Sequence, residues 1–163
     1  MEKDKFISVI KTHQKLIYKV CYSYCSNQDH RKDLQQDILL QLWRSFSKFD
    51  GRVKMSTWIY RVALNTAISF YRKDQKHDHK TDVFDEQIIS ISDTEVELEK
   101  DENLALLLHF IEQLNEMDKA LVLLYLDGNK YSEIGDVLGL SESNVATKLS
   151  RIKKKLKAQF SNI

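Results

Sequence analysis

Residues 131–151 read YSEIGDVLGLSESNVATKLSR, and this stretch decides the fold of the C-terminal part of the chain. Apolar residues recur at helical spacing up to Leu138. Gly139 follows, and glycine is the residue type that most readily takes the left-handed conformation that ends a helix. Ser141 then stands where it can cap a second helix. The pattern predicts two helices that cross at a tight corner, which is a helix-turn-helix.

The second helix of this motif has two different faces. One face is an apolar stripe of Val145, Leu149, Ile152 and Leu156. The other carries polar and basic residues at helical spacing, namely Asn144, Thr147, Arg151 and Lys155, with Lys148 and Lys154 on its flanks. An amphipathic packing helix with a solvated basic face is the competing interpretation. The preceding turn, and the absence of any carboxylate between residues 144 and 163, favour binding to DNA bases and phosphates.

The charge distribution along the chain supports nucleic-acid binding at both ends. The net charge is only +1, but residues 1–73 hold fourteen Lys and Arg against six Asp and Glu. Residues 74–103 hold three against eleven, and residues 128–163 hold seven against three. Phosphate would be attracted to the two basic ends and repelled by the segment between them.

The composition predicts an all-α protein. The chain has no proline and only four glycines in 163 residues, so few positions interrupt helices, and 42% hydrophobic residues suffice for real cores. Cys21 and Cys25 lie one helical turn apart in an apolar stripe, which favours reduced core cysteines over a disulfide or a metal site. The sequence shows neither a signal peptide nor a long apolar run. We therefore expect a cytoplasmic protein.

The periodicity of apolar residues divides the chain into two helical domains. Residues 1–73 should form a three-helix domain, with helices from Lys5 to about Ser26, from about Asp29 to Phe46, and from a cap at Ser56 or Thr57 to about Lys73. Residues 74–102 are acidic and lack apolar spacing, which predicts a flexible linker. Residues 103–163 should form the second domain, in which two helices separated near Asn115 support the helix-turn-helix.

The third predicted helix has an unusual outward face. Trp58, Arg61, Asn65, Ser69 and Arg72 follow one another at helical steps. An aromatic ring can stack on an unpaired base, Arg can neutralise phosphate, and an amide can bond to an exposed base edge. The row predicts a surface for single-stranded DNA, although a Trp at this position can also be a packing residue.

The second predicted helix carries a mixed acidic and apolar surface. Its residues are Asp33, Gln36, Asp37, Leu40, Trp43 and Arg44. Carboxylates are poor ligands for DNA, so we expect this surface to bind a protein with a basic helical surface.

Three motifs together resemble those of a bacterial RNA polymerase sigma factor of the extracytoplasmic function (ECF) group. They are DLQQDILLQLW at residues 33–43, STWIYRVALNTA at residues 56–67, and LNEMDK at residues 114–119 followed by the helix-turn-helix. Their order and spacing cover nearly the whole chain. The resemblance implies two helical domains, called sigma domains two and four, that flank a linker near the RNA exit path.

The resemblance also implies a role for each surface. Docking on the clamp helices of the polymerase beta-prime subunit would fall to Asp33, Gln36, Asp37, Leu40 and Trp43. Recognition and melting of the minus-10 element would fall to Trp58, Arg61, Asn65 and Thr66. Reading of the minus-35 duplex would fall to Asn144, Thr147, Lys148, Ser150, Arg151 and Lys155. The implied partners are core RNA polymerase, including its beta flap, promoter DNA and an anti-sigma factor.

The chain departs from the family pattern in the recognition helix. Ala146 and Thr147 stand where many members have Lys or Arg followed by Ser, and Lys148 replaces a frequent Arg. Because Lys lacks the bidentate fork of Arg, we expect this helix to rely more on DNA shape and phosphate contacts.

Two other functions compete with a sigma factor. A helix-turn-helix regulator that is not a polymerase subunit would need a dimer surface or ligand pocket, and the sequence shows neither. A metal-dependent hydrolase would use His77, Asp78 and His79. The sigma interpretation instead predicts no catalysis, no metal or other cofactor, and no small-molecule substrate.

Overall fold

The computed structural model describes residues 2–72 and 102–160, and these residues are helical throughout apart from short connections. The helices form two bundles. The N-terminal bundle contains α1 (Glu2–Thr12), α2 (Gln14–Tyr24), α3 (Gln28–Phe46) and α4 (Met55–Arg72), and the C-terminal bundle contains α5 (Glu102–Glu112), α6 (Glu116–Leu126), α7 (Tyr131–Leu138) and α8 (Glu142–Phe160). The prediction of an all-α fold is confirmed.

The first predicted helix is in fact two helices, so the prediction of one continuous helix was wrong. The chain turns at His13, whose backbone N–H contacts the carbonyls of both Val9 and Ile10 at 3.1 Å. The His13 ring also contacts the Val9 carbonyl through Nδ1 at 2.9 Å. This turn lets α1 leave the axis of α2 and lay the buried Phe6 against α3. Sequence periodicity missed the break because the apolar spacing continues across it.

Helices α3 and α4 supply much of the N-terminal core. The Asn27 side chain caps α3 by accepting from the backbone N–H of Asp29 at 2.8 Å. The apolar spacing predicts Leu34, Ile38, Leu42 and Phe46 on one side of this helix; the first three are fully buried and Phe46 is partly buried against the core. Helix α4 begins at Met55, so Ser56 and Thr57 lie inside its first turn and the prediction that either caps it was wrong.

The helix-turn-helix forms as the sequence predicts. Gly139 follows α7 in the left-handed conformation with φ 71°, and the Ser141 hydroxyl caps α8 by accepting from the backbone N–H of Asn144 at 3.1 Å. Gly135, inside α7, makes a second contribution that the sequence did not reveal. A Cβ at this position would collide with the backbone carbonyl oxygen of Leu140. Only a glycine at position 135 therefore leaves room for the turn at Leu140.

The two bundles pack against each other around one continuous hydrophobic core. Helix α2 lies at its centre, because it contacts α3 and α4 on one side and α5 and α6 on the other. Helix α4 also packs along α6 and α7. Helical periodicity placed the apolar faces correctly, but it could not reveal which faces of different bundles meet.

The predicted linker and the candidate hydrolase residues fall largely or wholly outside the described residues. Residues 73–101 include His77, Asp78 and His79, and the structure says nothing about them. Among the described helices, none has the length and apolar character required to cross a membrane.

Candidate nucleic-acid and polymerase interfaces

Helix α4 brings three of the four predicted minus-10 residues onto one face, which we call the α4 outer face. Trp58, Arg61 and Asn65 follow one another at steps of three and four, so they lie above one another along the helix. Asn65 is exposed, while Trp58 and Arg61 are half-buried. The exposed Ser69 extends the row. The opposite side of α4 carries the fully buried Ile59 and Ala63. Core packing on one side therefore holds the polar row toward solvent on the other.

An aromatic cluster fixes the position of Trp58. Its ring lies 5.3 Å from the ring of Phe49 and 6.3 Å from that of Phe46, both in tilted geometry. These contacts account for its partial burial, and the remaining surface is available for stacking. Phe49 lies in the connection between α3 and α4, and periodicity could not identify it because this connection has no helical repeat. Both interpretations of Trp58, packing and base stacking, are compatible with this geometry.

Thr66 and Arg72 differ from the rest of the predicted row. Thr66 is half-buried, and its hydroxyl donates to the Val62 carbonyl at 2.7 Å, one turn back on the core side of α4. Arg72 is exposed, and its Nε lies 3.0 Å from a carboxylate oxygen of Glu116 in the C-terminal bundle. The structure thus places Thr66 beside the α4 outer face, whereas Arg72 is engaged in a contact between bundles.

Helix α8 presents a second polar face, which we call the α8 outer face. Its inner side is formed by Val145, Leu149 and Ile152, which are buried as the apolar stripe predicts. The outer face carries residues that are exposed, or half-buried in the case of Lys148, namely Asn144, Thr147, Lys148, Arg151 and Lys155. The Thr147 hydroxyl donates to the Ser143 carbonyl at 3.1 Å and keeps acceptor capacity. This face can meet base edges with amide, hydroxyl and guanidinium groups.

Ser150 lies on a neighbouring flank of α8 with a group of lysines. It lines a shallow hollow together with Tyr131, Lys153 and Lys154. The Lys153 ammonium stands 4.3 Å from the centre of the Tyr125 ring, a cation–π geometry. Sequence analysis missed the tyrosines because they come from α6 and α7, and only the tertiary structure brings them to α8.

Helix α3 gathers all five predicted polymerase-binding residues onto one side, the α3 outer face. Asp33, Gln36, Asp37, Leu40 and Trp43 are exposed or half-buried, opposite the buried Leu34, Ile38 and Leu42. Trp43 has a second role, because Phe6 of α1 meets its ring edge-on at 5.1 Å. The face combines carboxylates with an anchored aromatic ring.

The two cysteines belong to the core. Cys21 and Cys25 are both buried and form no disulfide, and burial raises the pKa of the Cys21 thiol. Within residues 2–72 and 102–160, no group of three or more His, Cys, Asp or Glu side chains is arranged to hold a metal ion.

Comparison with known proteins assigns both bundles. Residues 9–77 match the family model described as Sigma-70 region 2, and residues 97–156 match that described as Sigma-70, region 4. The chain belongs to the ECF RNA polymerase sigma factors. ECF sigma factor SigW of Bacillus subtilis (strain 168) is 28% identical, with 99% of this chain and 92% of SigW covered. Sigma factor SigV of the same organism is 26% identical, with 97% of this chain and 92% of SigV covered.

A solved structure shares the fold of this sigma factor. The chain CnrH, determined in complex with the cytosolic domain of CnrY, has a TM-score of 0.68 at 19% identity. The match covers 98% of this chain and 90% of CnrH. The predicted family and its function as an RNA polymerase sigma factor are confirmed.

Proposed function

We propose that three surfaces of this sigma factor divide the work of transcription initiation. The α3 outer face docks on the clamp helices of the polymerase beta-prime subunit. The α4 outer face captures the minus-10 element as single strands, with Thr66 at its edge. The α8 outer face, with Ser150 on its flank, reads the minus-35 duplex, while the C-terminal bundle contacts the beta flap. The protein acts in the cytoplasm and catalyses no reaction itself.

The observation that carries this proposal is the arrangement of Trp58, Arg61 and Asn65 on one side of α4. Stacking on an aromatic ring contributes about 1–3 kcal/mol per base, whereas unstacking a duplex step costs a few kcal/mol. The free energy gained by stacking one base on the Trp58 ring therefore roughly offsets the free energy needed to unstack that base from the duplex. Further contacts from Arg61 to phosphate and from Asn65 to a base edge give the surplus that favours the open strands.

The three surfaces also suit their targets electrostatically. The α8 outer face is basic and suits DNA phosphate, while α3 carries Asp33 and Asp37, which suit a basic protein surface. Complementary charge guides association and discriminates between partners more than it raises affinity. The proposed division of labour therefore uses each bundle for one DNA element and α3 for the polymerase.

An anti-sigma factor is a further proposed partner. CnrH was determined in complex with the cytosolic domain of CnrY, so this fold can accommodate a second protein. We propose that an anti-sigma factor binds this sigma factor and competes with the polymerase for its surfaces.

The decisive experiment is reconstitution of core polymerase with this protein on promoters from its own genome. The wild type should stimulate transcription and produce permanganate-reactive thymines at the minus-10 element. Asn65→Ala should reduce the opened fraction by roughly tenfold, the equivalent of one base-edge contact of about 1–3 kcal/mol, while polymerase binding is unchanged. Asn144→Ala, a matched change on α8, should instead weaken binding to the duplex minus-35 element. Loss of polymerase binding by Asn65→Ala would contradict the assignment of faces.

A further inference from the structure

A shallow hollow of about 320 Å³ lies in the surface of α8 beside the α8 outer face. Its two smallest lining side chains are those of Ala146 and Ser150, which lie one helical turn apart, so little material fills the space above them. Ala146 is half-buried and Ser150 is exposed. We call this cavity the α8 hollow, and its lining residues are Tyr131 of α7 and Ala146, Ser150, Lys153, Lys154 and Lys157 of α8.

The surroundings of the α8 hollow are aromatic and basic. The ring of Tyr131 lies 6.3 Å from that of Tyr125, and the Lys153 ammonium stands over the Tyr125 ring at 4.3 Å from its centre. Lys154 and Lys157 are exposed. None of the six lining residues carries a carboxylate. The α8 hollow therefore suits a ligand that combines an apolar group with negative charge.

The α8 hollow adjoins the residues that are proposed to read the minus-35 duplex. Ser150 follows Thr147 by three positions and Ala146 by four, so it lies next to both on the surface of α8. Because α8 begins at Glu142, Ala146 is its fifth residue, and a recognition helix contacts base edges with its N-terminal residues. Tyr131 is the first residue of α7, and the first helix of such a motif crosses the DNA backbone. A duplex bound by α8 would thus bring a base edge to Ala146 and phosphates to the basic rim.

The chemistry of the α8 hollow matches an A·T base pair. In the major groove, thymine is the base that presents a methyl group, and the alanine side chain is among the apolar groups that contact it. The Ser150 hydroxyl can donate to thymine O4 or accept from the adenine amino group. A G·C pair has no methyl group to fill the space above Ala146. An arginine at this position would instead fill the hollow and could bond to guanine.

We propose that the α8 hollow is a specificity site for one A·T base pair of the minus-35 element. The thymine methyl group packs against Ala146, and Lys154 and Lys157 contact the adjoining phosphates. This inference rests on the proposed function, because it names the base pair that α8 reads at one position. It also gives a role to the departure from the family pattern at Ala146, where a small apolar side chain selects thymine.

Replacement of thymine by uracil tests the methyl contact, because uracil lacks the methyl group and pairs with adenine in the same way. Holoenzyme assembled from core polymerase and this protein is bound to a promoter from its own genome. Each thymine of the minus-35 element, on either strand, is replaced singly. At the position over Ala146, uracil should weaken binding about fourfold, as expected when one methyl group loses an apolar contact. Equal affinity for thymine and uracil at every position would overturn the proposal, as would a minus-35 element without thymine.

Protein variants assign the sensitive position to Ala146. Ala146→Gly removes the methyl group on the protein side, so the ratio of affinities for thymine and uracil DNA should fall toward one. A general loss of helix stability affects both DNAs equally and cancels in this ratio. Thr147→Ser is the matched control, because it removes a methyl group one residue away, from the α8 outer face, and should leave the ratio unchanged. Loss of the ratio in Thr147→Ser, with its retention in Ala146→Gly, would overturn the assignment to the α8 hollow.

Two further variants test the filling of the hollow and the basic rim. Ala146→Arg keeps a high helix propensity, so it remains informative even if Ala146→Gly folds poorly. It should abolish the sensitivity to uracil and favour a G·C pair at the same position. Lys157→Ala should weaken binding to thymine and uracil DNA equally, and it should lower the slope of log affinity against log salt by about one. A retained thymine preference in Ala146→Arg would overturn the specificity site, and an unchanged slope in Lys157→Ala would overturn its phosphate contact.

The same measurements separate this inference from the proposed function. If the wild-type holoenzyme bound promoters equally well with and without the minus-35 element, the proposed function of α8 would be contradicted. If the holoenzyme required the minus-35 element but bound thymine and uracil DNA equally, only the specificity site would be overturned.

Discussion

The ring of Phe6 meets the ring of Trp43 edge-on, with centroids 5.1 Å apart and planes at 61°. Phe6 also lies 5.2 Å from Phe46 in similar geometry. Helix α1 thereby supports the C-terminal end of α3, on which the proposed polymerase-binding residues lie. The fully buried ring of Phe6 is thus connected to a proposed polymerase-binding residue 37 positions later.

Replacing Phe6 should destabilise the N-terminal bundle and disturb polymerase binding together. Phe6→Ala removes a fully buried ring and should lower the free energy of unfolding by about 3–5 kcal/mol, as measured by denaturant titration. Phe160→Ala is the control, because Phe160 is 39% exposed and its ring meets that of Phe110 in tilted geometry. Its loss should be about 1 kcal/mol. Equal losses for both variants would show that α1 does not support α3.

The two glycines of the helix-turn-helix should respond differently to substitution. Alanine normally stabilises a helix relative to glycine by up to about 1 kcal/mol, but Gly135→Ala should cost about 3 kcal/mol, because its Cβ would collide with the Leu140 carbonyl oxygen. Gly139→Ala should cost about 1–2 kcal/mol through its left-handed backbone. Thermal unfolding and minus-35 duplex binding measure both effects.

Substitution by asparagine distinguishes the steric collision at Gly135 from the left-handed backbone at Gly139. Gly139→Asn should recover part of the stability lost by Gly139→Ala, because Asn tolerates the left-handed conformation. Gly135→Asn should recover nothing relative to Gly135→Ala. Recovery at residue 135 would mean that the close approach of α7 to Leu140 does not limit the corner.

Arg151 and Lys155 should contribute to minus-35 binding in different ways. Arg151→Ala should weaken binding by about 1–3 kcal/mol and relax base preference at one position, because its guanidinium can bond to a base edge. Lys155→Ala should weaken binding equally on all sequences and lower the slope of log affinity against log salt by about one. Affinity measured on a set of single-base variants over a range of salt concentrations checks both. If Arg151→Ala also weakened binding equally on all sequences, Arg151 would contact phosphate and not a base edge.

Two tyrosines should make the protein sensitive to alkali. Burial, followed by the charges of Glu116 and Asp127 respectively, raises the pKa of Tyr24 and of Tyr60. The unfolded chain releases these protons near the ordinary tyrosine pKa of about 10, while the folded chain retains them. Their stabilising contribution is therefore complete below about pH 10 and is lost as the pH rises above that value toward the folded pKa.

Phenolate absorbance provides the measurement. Tyr24 and Tyr60 should ionise only as the chain unfolds. In Tyr24→Phe, the decline of stability between pH 10 and the unfolding pH should be shallower than in wild type. An unchanged slope would mean that the Tyr24 phenol is not retained in its protonated form by the fold.

Sequence reasoning located the helix-turn-helix closely, because its signals are local. The left-handed Gly139, the Ser141 cap and the apolar stripe of α8 depend on residues within a few positions of one another. Sequence reasoning did not predict the break at His13 or the start of α4 at Met55, since neither depends on apolar spacing. The role of Gly135 was also hidden, because a glycine inside a helical pattern has no visible reason until Leu140 is placed above it.

The sequence by itself determined the helical class, the order of the motifs and the faces of α3, α4 and α8, because amphipathic spacing records on each helix which side avoids water. Only the tertiary structure decided how the bundles meet. The contacts of Tyr24 and Arg72 with Glu116 join residues 92 and 44 positions apart. Helical periodicity says nothing about contacts between residues so far apart in sequence. These contacts arise from the docking of whole apolar surfaces and the pairing of charges at their edges.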